Sequence, residues 1–266
     1  MLHGDGAGIA SGRGDGFALR HDDCNVMDEW KYQPAGDQGL DPHASLRSLK
    51  REAGLVATVT QAAWRVAVRA YLRGYHRLRV AGVEHIPVKP PFVMIANHSS
   101  HLDVLTLGAA LPWRLRRHAF PIAAGDVFFE TPVVSAFSAM MLNALPMWRK
   151  RCGSHAMQEL RDRLIGDPAI YLLFPEGKRS RDGTMNPFKP GLGMMIAGAP
   201  VPVVPCWIDG AFHAFRPETK LPKPRPISLR IGPPLVFADL ANDRAGWESI
   251  AARLEAAVVA LRDAPH

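Results

Sequence analysis

Apolar positions along the chain follow two different rhythms. Short apolar runs, Phe92-Val93-Met94-Ile95-Ala96, Ala169 to Phe174, Val201 to Ile208 and Ile227 to Ile231, have the length and composition of strands. Helical spacing takes over between and after them. It runs from about Ser154, a plausible N-cap, to Ile165, near Leu192 to Ala197, and through Trp247, Ile250, Ala251, Leu254, Val258 and Leu261. Alternation of this kind predicts an α/β fold, a mixed sheet flanked by helices. Pro217 to Pro226 predicts a surface loop leading into the last strand, and the sequence contains no internal repeat.

The N-terminal region departs from that alternation. Residues 1–50 are rich in Gly, Asp and His without apolar periodicity, and predict a disordered tail because they bury too little surface to offset ordering entropy. Met27 opens a less biased stretch and is a second candidate start. Residues 55–79 predict a helix, with Leu55, Val56, Val59, Ala62, Ala63, Val66, Ala67 and Ala70 apolar and Arg65, Arg69, Arg73 and Arg77 every four residues. A basic amphipathic helix fits an anionic membrane surface, where each basic residue contributes roughly 1 kcal/mol. An ordinary helix packed on the domain has the same pattern. The expected organisation is therefore a tail at 1–50, an amphipathic membrane-associating helix at 51–80 and an α/β domain at 81–266.

Charge narrows the partners. A net charge of +7 suits phospholipid head groups, phosphorylated small molecules or nucleic acid. No zinc-finger, RNA-recognition or helix-turn-helix pattern is present, so nucleic acid is not expected. Cys24, Cys152 and Cys206 are scattered without metal-type spacing, which favours a reducing compartment. The Gly- and Asp-rich N-terminus lacks a secretory pattern, and the expected location is inside the cell.

Candidate chemistry clusters where strands end. In Asn97-His98-Ser99-Ser100-His101-Leu102-Asp103, His98 follows a strand and Asp103 falls in the first turn of a helix beginning near Ser100. The carboxylate can then fold back on one imidazole nitrogen and leave the other free as a base. Such a pair has no nucleophile of its own, so the attacking oxygen must be a substrate hydroxyl. Arg149-Lys150-Arg151 follows an uncharged segment, and Glu176-Gly177-Lys178-Arg179 forms a tight cationic loop suited to phosphate. His98, His101 and Asp103 could instead be metal ligands of a hydrolase, but Val104 stands where a further His would be expected and no second compact ligand cluster appears. Ser99 and Ser100 lack a nucleophile-elbow motif, and Cys152 lies beside the basic cluster without further sign of reactivity. A non-catalytic module for anionic surfaces is the remaining alternative.

These stretches, in order and spacing, resemble the four sequence blocks of the glycerolipid acyltransferase family, over roughly residues 55–210. Residues 97–103 are similar to its H-x4-D block, Ala144-Leu145-Pro146-Met147-Trp148-Arg149 to the second, Phe174-Pro175-Glu176-Gly177-Lys178-Arg179-Ser180 to the third and Val203-Val204-Pro205 to the fourth. The resemblance implies acyl transfer from acyl-CoA or acyl carrier protein to a lysophospholipid hydroxyl, 1-acylglycerol-3-phosphate above all, with no cofactor and no metal. It makes His98 the base and Asp103 its orienting partner, with Asn97, Arg149, Glu176, Gly177, Lys178 and Arg179 binding the substrate. Another lysolipid is the alternative acceptor, since Lys178 stands where the family most often has Thr and Trp148 where an acidic residue is common. It also implies a membrane phospholipid surface as partner and a peripheral or monotopic place on the cytoplasmic face. The uncharged stretch Thr131 to Trp148 is interrupted by Pro132, Ser135, Ser138, Asn143 and Pro146, which argues against a span. A buried or interfacial segment that helps to hold an acyl chain, or a core helix, is expected there.

Overall fold

The computed structural model describes residues 55–124, 144–147, 154–216, 218–219 and 221–263. The expected tail at 1–50, Cys152, Arg149 and most of the uncharged segment lie outside them. Apolar β-branched and aromatic runs form the inner strands β2 (Phe92–Ala96), β5 (Ile170–Leu173) and β6 (Val203–Asp209). The remaining strands are β1 (Arg79–Ala81), β3 (Ala119–Ala124), β4 (Leu145–Met147) and β7 (Ser228–Ile231). Among the described residues they make one seven-stranded sheet in the order β1-β7-β6-β2-β5-β3-β4. All neighbours are parallel except β6 and β7, so the sheet is mixed, as the alternation predicted.

Strand alternation sends side chains to two separate cores. Phe92, Met94, Ala96, Ile170, Leu172, Val204, Cys206 and Ile208 face one side, where Val68 and Leu72 of α1 (Leu55–Gly74) and Leu102 and Leu107 of α2 (Leu102–Ala110) cover them. Val93, Ile95, Tyr171, Leu173 and Val203 face the other side. There α3 (Ser154–Gly166), α4 (Gly191–Ile196) and α6 (Arg244–Asp263) supply Leu160, Leu164, Met195, Ile196, Ile250, Leu254 and Val258. A short helix α5 (Ala211–Ala214) follows β6.

α1 differs from its expected form in two respects. The helix ends at Gly74, and Arg77 lies beyond it in the left-handed region at φ 48°. Arg65 and Arg69 are half-buried rather than spread on a solvated stripe: Arg65 donates to Gln61 at 3.0 Å and Arg69 to the carbonyl of Ala109 at 2.8 Å. The buried Arg116 donates to the carbonyls of Leu111 at 2.7 Å and Ala109 at 3.3 Å. Two cations thus satisfy the orphan carbonyls at the C-terminus of α2 and complement its dipole. One of them comes from α1 and staples the two helices together. The face that α1 turns outward is uncharged for three turns, at Val59, Ala63, Val66, Ala67 and Ala70, before Arg73. No described helix is long and apolar enough to cross a membrane.

Candidate active site

β2 sits between β5 and β6 and runs parallel to both, so the loops that follow the three strands emerge at one edge of the sheet. In open α/β sheets that edge is where ligands bind. The chain leaving β2 is fastened at once. Asn97 is buried, its amide donates to the carbonyl of Ile208 at 2.9 Å, and its side-chain oxygen accepts the Ile208 N–H at 2.8 Å. Both polar atoms of that side chain therefore clamp β2 to β6.

His98 comes next, one-fifth exposed, with Nδ1 bonded to Oδ2 of the fully buried Asp103 at 2.9 Å. The same oxygen accepts the N–H groups of Ser99 and Ser100, each at 2.7 Å. Three donors converging on one carboxylate oxygen hold the chain reversal between strand and helix. Leu102 begins α2 with His101 at the N-cap position, which puts Asp103 in the first turn as the sequence predicted. With Nδ1–H donated to Asp103, Nε2 carries the lone pair, and no described residue bonds it. The plane of the imidazole is set by Phe174, stacked on it at 4.1 Å and 16°.

Backbone N–H groups at a helix start, here those of Ser99 and Ser100, are a common source of oxyanion donors. In the structure both are already used by Asp103. The Ser100 hydroxyl is used as well, donating to the carbonyl of Phe215 at 2.9 Å.

The loop after β5 reaches over to His98. Glu176 is buried, and its Oε1 accepts the His98 N–H at 2.6 Å while Oε2 accepts the backbone and side-chain N–H groups of Asn186, both at 2.8 Å. Burial raises the Glu176 pKa above the usual carboxylate range, opposed by the bonds from Asn186 and His98. The carbonyl of His98 in turn accepts the N–H of Ser180 at 2.8 Å. Gly177 adopts φ 71°, and a Cβ there would stand 2.9 Å from Nζ of Lys189. Only glycine takes that turn without strain, and its bareness lets Lys189 lie over the loop.

Lys178 is exposed and Arg179 half-buried. The charge of Arg179 is felt at His101, whose pKa is lowered first by partial burial and then by Arg179. The structure thus gathers His98, Asp103, Asn97, Glu176, Gly177, Lys178 and Arg179 at one edge. Arg149 lies two residues past the end of β4, outside the described residues. Sequence reasoning missed Lys189 and Asn186, which are distant in the chain, and assigned no role to Phe174, whose place at a strand end was the available signal. Among the described residues no group of three or more His, Cys, Asp and Glu side chains is placed to hold a metal ion.

The family described as Acyltransferase matches residues 77–209, half of the chain. The chain belongs to the acyltransferase family. It is 33% identical over 175 residues to 1-acyl-sn-glycerol-3-phosphate acyltransferase alpha of Homo sapiens, covering 65% of this chain and 59% of that protein. It is 29% identical over 177 residues to the Mus musculus protein of the same name, with 65% and 59% covered. The chain thus spans about three-fifths of the length of the curated relatives it matches. Its fold matches the crystal structure of the 1-acyl-sn-glycerophosphate (LPA) acyltransferase PlsC from Thermotoga maritima, with a TM-score of 0.59, 22% identity and 79% and 81% of the two chains covered. The matched residues 77–209 hold the His98–Asp103 pair, Glu176 and the cationic loop. Residues beyond 209, including α5, β7 and α6, lie outside them.

Proposed function

We propose that the chain transfers a fatty acyl group from acyl-CoA or acyl carrier protein to the free hydroxyl of a lysophospholipid, 1-acylglycerol-3-phosphate in the first place. The observation that carries this reading is an imidazole with one nitrogen held by a buried carboxylate and the other bonded by no described residue, beside a cation-rich loop. His98 Nε2 takes the proton of the acceptor hydroxyl as its oxygen attacks the thioester carbonyl. The tetrahedral intermediate collapses with cleavage of the C–S bond, and the departing thiolate takes the proton back from the imidazolium. Asp103 stabilises that imidazolium and fixes the tautomer. A positioned base of this kind contributes roughly 10²–10⁴-fold, and holding both substrates adds more through effective molarity.

Arg149, Lys178, Arg179 and Lys189 are the cations proposed for the acceptor phosphate. Asn97 and Glu176 act by holding the loops, since their polar atoms bond protein partners.

We also place the protein at the cytoplasmic face of a membrane, held peripherally. The outward face of α1 supports this, with Val59 62% and Val66 56% exposed. Co-sedimentation with anionic phospholipid vesicles should fall when both valines are changed to Glu, and unchanged binding would remove α1 from the interface.

The test of function is a panel of lysolipid acceptors with one labelled acyl-CoA, products scored by mass spectrometry, run beside His98→Ala. Phosphatidic acid as the dominant product, lost in the variant, is the expected result. Transfer to none of the acceptors, or normal turnover in a folded variant, would refute it.

A further inference from the structure

Past residue 209, where the family match ends, the loop between β6 and β7 builds a second cationic site that the mechanism above does not use. Residues 210–226 contain Arg216, Lys220, Lys223 and Arg225 against the single acid Glu218. His213, Arg216, Thr219, Lys223 and Arg225 line a cleft of about 480 Å³, and Glu218 is not in its lining. Among the described residues Arg216, Lys223 and Arg225 form no ion pair. A concave wall of unpaired cations is an anion site by charge, and guanidinium forks match phosphate oxygens.

The cleft is held in shape from below. The carbonyl of Arg225 is bonded to His76 Nδ1 at 3.1 Å, the N–H of Lys223 donates to the Ala214 carbonyl at 2.7 Å, and Tyr75 donates its hydroxyl to the Pro222 carbonyl at 3.1 Å. The Arg216 guanidinium sits over the Phe212 ring at 5.4 Å. These contacts fix the backbone and leave the charged ends of Lys223 and Arg225 to the solvent.

Its position is specific. β6 and β5 flank β2 on opposite sides, so this loop and the Lys178–Arg179 loop stand on opposite sides of His98 at the same edge. The cleft is tied to the base through Phe215, whose carbonyl accepts from Ser100 and whose ring lies 5.9 Å from that of His101. A two-substrate transfer with one phosphate-bearing acceptor needs one cationic loop. A second on the far side of the base calls for a second anion, and an acyl thioester of coenzyme A carries phosphates remote from its reactive carbonyl.

We propose that the cleft formed by His213, Arg216, Lys223 and Arg225 binds the phosphates at the nucleotide end of an acyl-CoA donor. This rests on the acyl-transfer reading, and it makes coenzyme A rather than a carrier protein the donor that the chain is built to hold. A recessed cleft suits a nucleotide, whereas a protein partner would need a broad surface.

The experiment uses the full chain and a Lys223→Gln/Arg225→Gln double variant, with coenzyme A and pantetheine as calorimetric probes. The variant should bind coenzyme A about tenfold more weakly or worse, since charge-assisted bonds are lost, with pantetheine unaffected. In turnover, KM for acyl-CoA should rise by a similar factor, while kcat, KM for the lysolipid and transfer from acyl-pantetheine stay within twofold. A Lys223→Arg/Arg225→Lys variant, which keeps both charges, should recover most of the affinity, and thermal melts report whether each variant folds. Unchanged coenzyme A affinity overturns the proposal. So does an equal loss for acyl-pantetheine, a rise only in the lysolipid KM, or a rise only in KM for acyl carrier protein. If the wild type transfers no acyl group, the acyl-transfer reading fails, and the calorimetry still decides whether the cleft holds coenzyme A.

Discussion

The carboxylate of Glu176 accepts the backbone N–H of His98 at 2.6 Å, joining the exits of β5 and β2 across 78 residues of sequence. Its other oxygen gathers Asn186, so one buried side chain sets the backbone of His98 and the cationic loop together.

Removing that carboxylate therefore separates two roles. Glu176→Ala leaves N–H donors at the half-buried His98 and Asn186 without their partner, which costs up to about 1–3 kcal/mol where water cannot replace it. The expected outcome is a lower unfolding midpoint in urea together with a lower kcat. A raised acceptor KM with unchanged stability would mean that Glu176 touches the substrate instead.

Asp103→Asn tests the partner of the base. Its side-chain oxygen can still accept from His98, Ser99 and Ser100, so the chain reversal should persist, while the charge that stabilises the imidazolium is gone. Transfer should fall by about two to four orders of magnitude, in kcat rather than KM. Near-normal kcat in the folded variant would take the pair out of the mechanism.

Two helical glycines should respond in opposite senses. A Cβ at Gly108 of α2 would meet nothing within 4 Å, whereas one at Gly193 of α4 would stand 2.5 Å from Cα of Trp247 in α6. Gly108→Ala should add up to about 1 kcal/mol through backbone entropy. Gly193→Ala should cost roughly 1–3 kcal/mol by forcing the helices apart. Urea unfolding distinguishes them, and matching shifts would contradict the packing.

Asp182 shapes the exit of the cationic loop, its Oδ1 accepting from the Ser180 hydroxyl and the Thr184 N–H, each at 2.9 Å. The Thr184 side chain first, then the Thr184 N–H and the Ser180 hydroxyl, lower its pKa to about 2. The native value lies below the unfolded one, so the contribution to stability is present above the ordinary aspartate range and disappears as pH falls through about 2. An NMR titration of its carboxyl carbon should show this, and Ser180→Ala should move the midpoint upward. A midpoint in the ordinary range would show that the turn is not formed in solution.

The sequence made some of this legible and left the rest dark, and the difference is distance along the chain. His98 and Asp103 are five residues apart, so a strand exit and a helix start suffice to bring them together, and the apolar runs of β2, β5 and β6 announced themselves by composition. The arginines of α1 show the opposite case. Their four-residue spacing predicted a basic amphipathic helix, but Arg69 is drawn inward to the carbonyl of Ala109 forty residues away, which no local pattern reveals.

What the amino-acid order settled alone was the α/β alternation and the pairing of His98 with Asp103, because both depend on period and on contacts within one turn of chain. Tertiary structure decided that Ser99 and Ser100 serve Asp103, that Glu176 anchors His98, that Lys189 overlies Gly177 and that a cationic cleft stands on the far side of the base. Each of these depends on which strands lie side by side, and strand order is set by burying two apolar faces of one sheet at once rather than by any short stretch of residues.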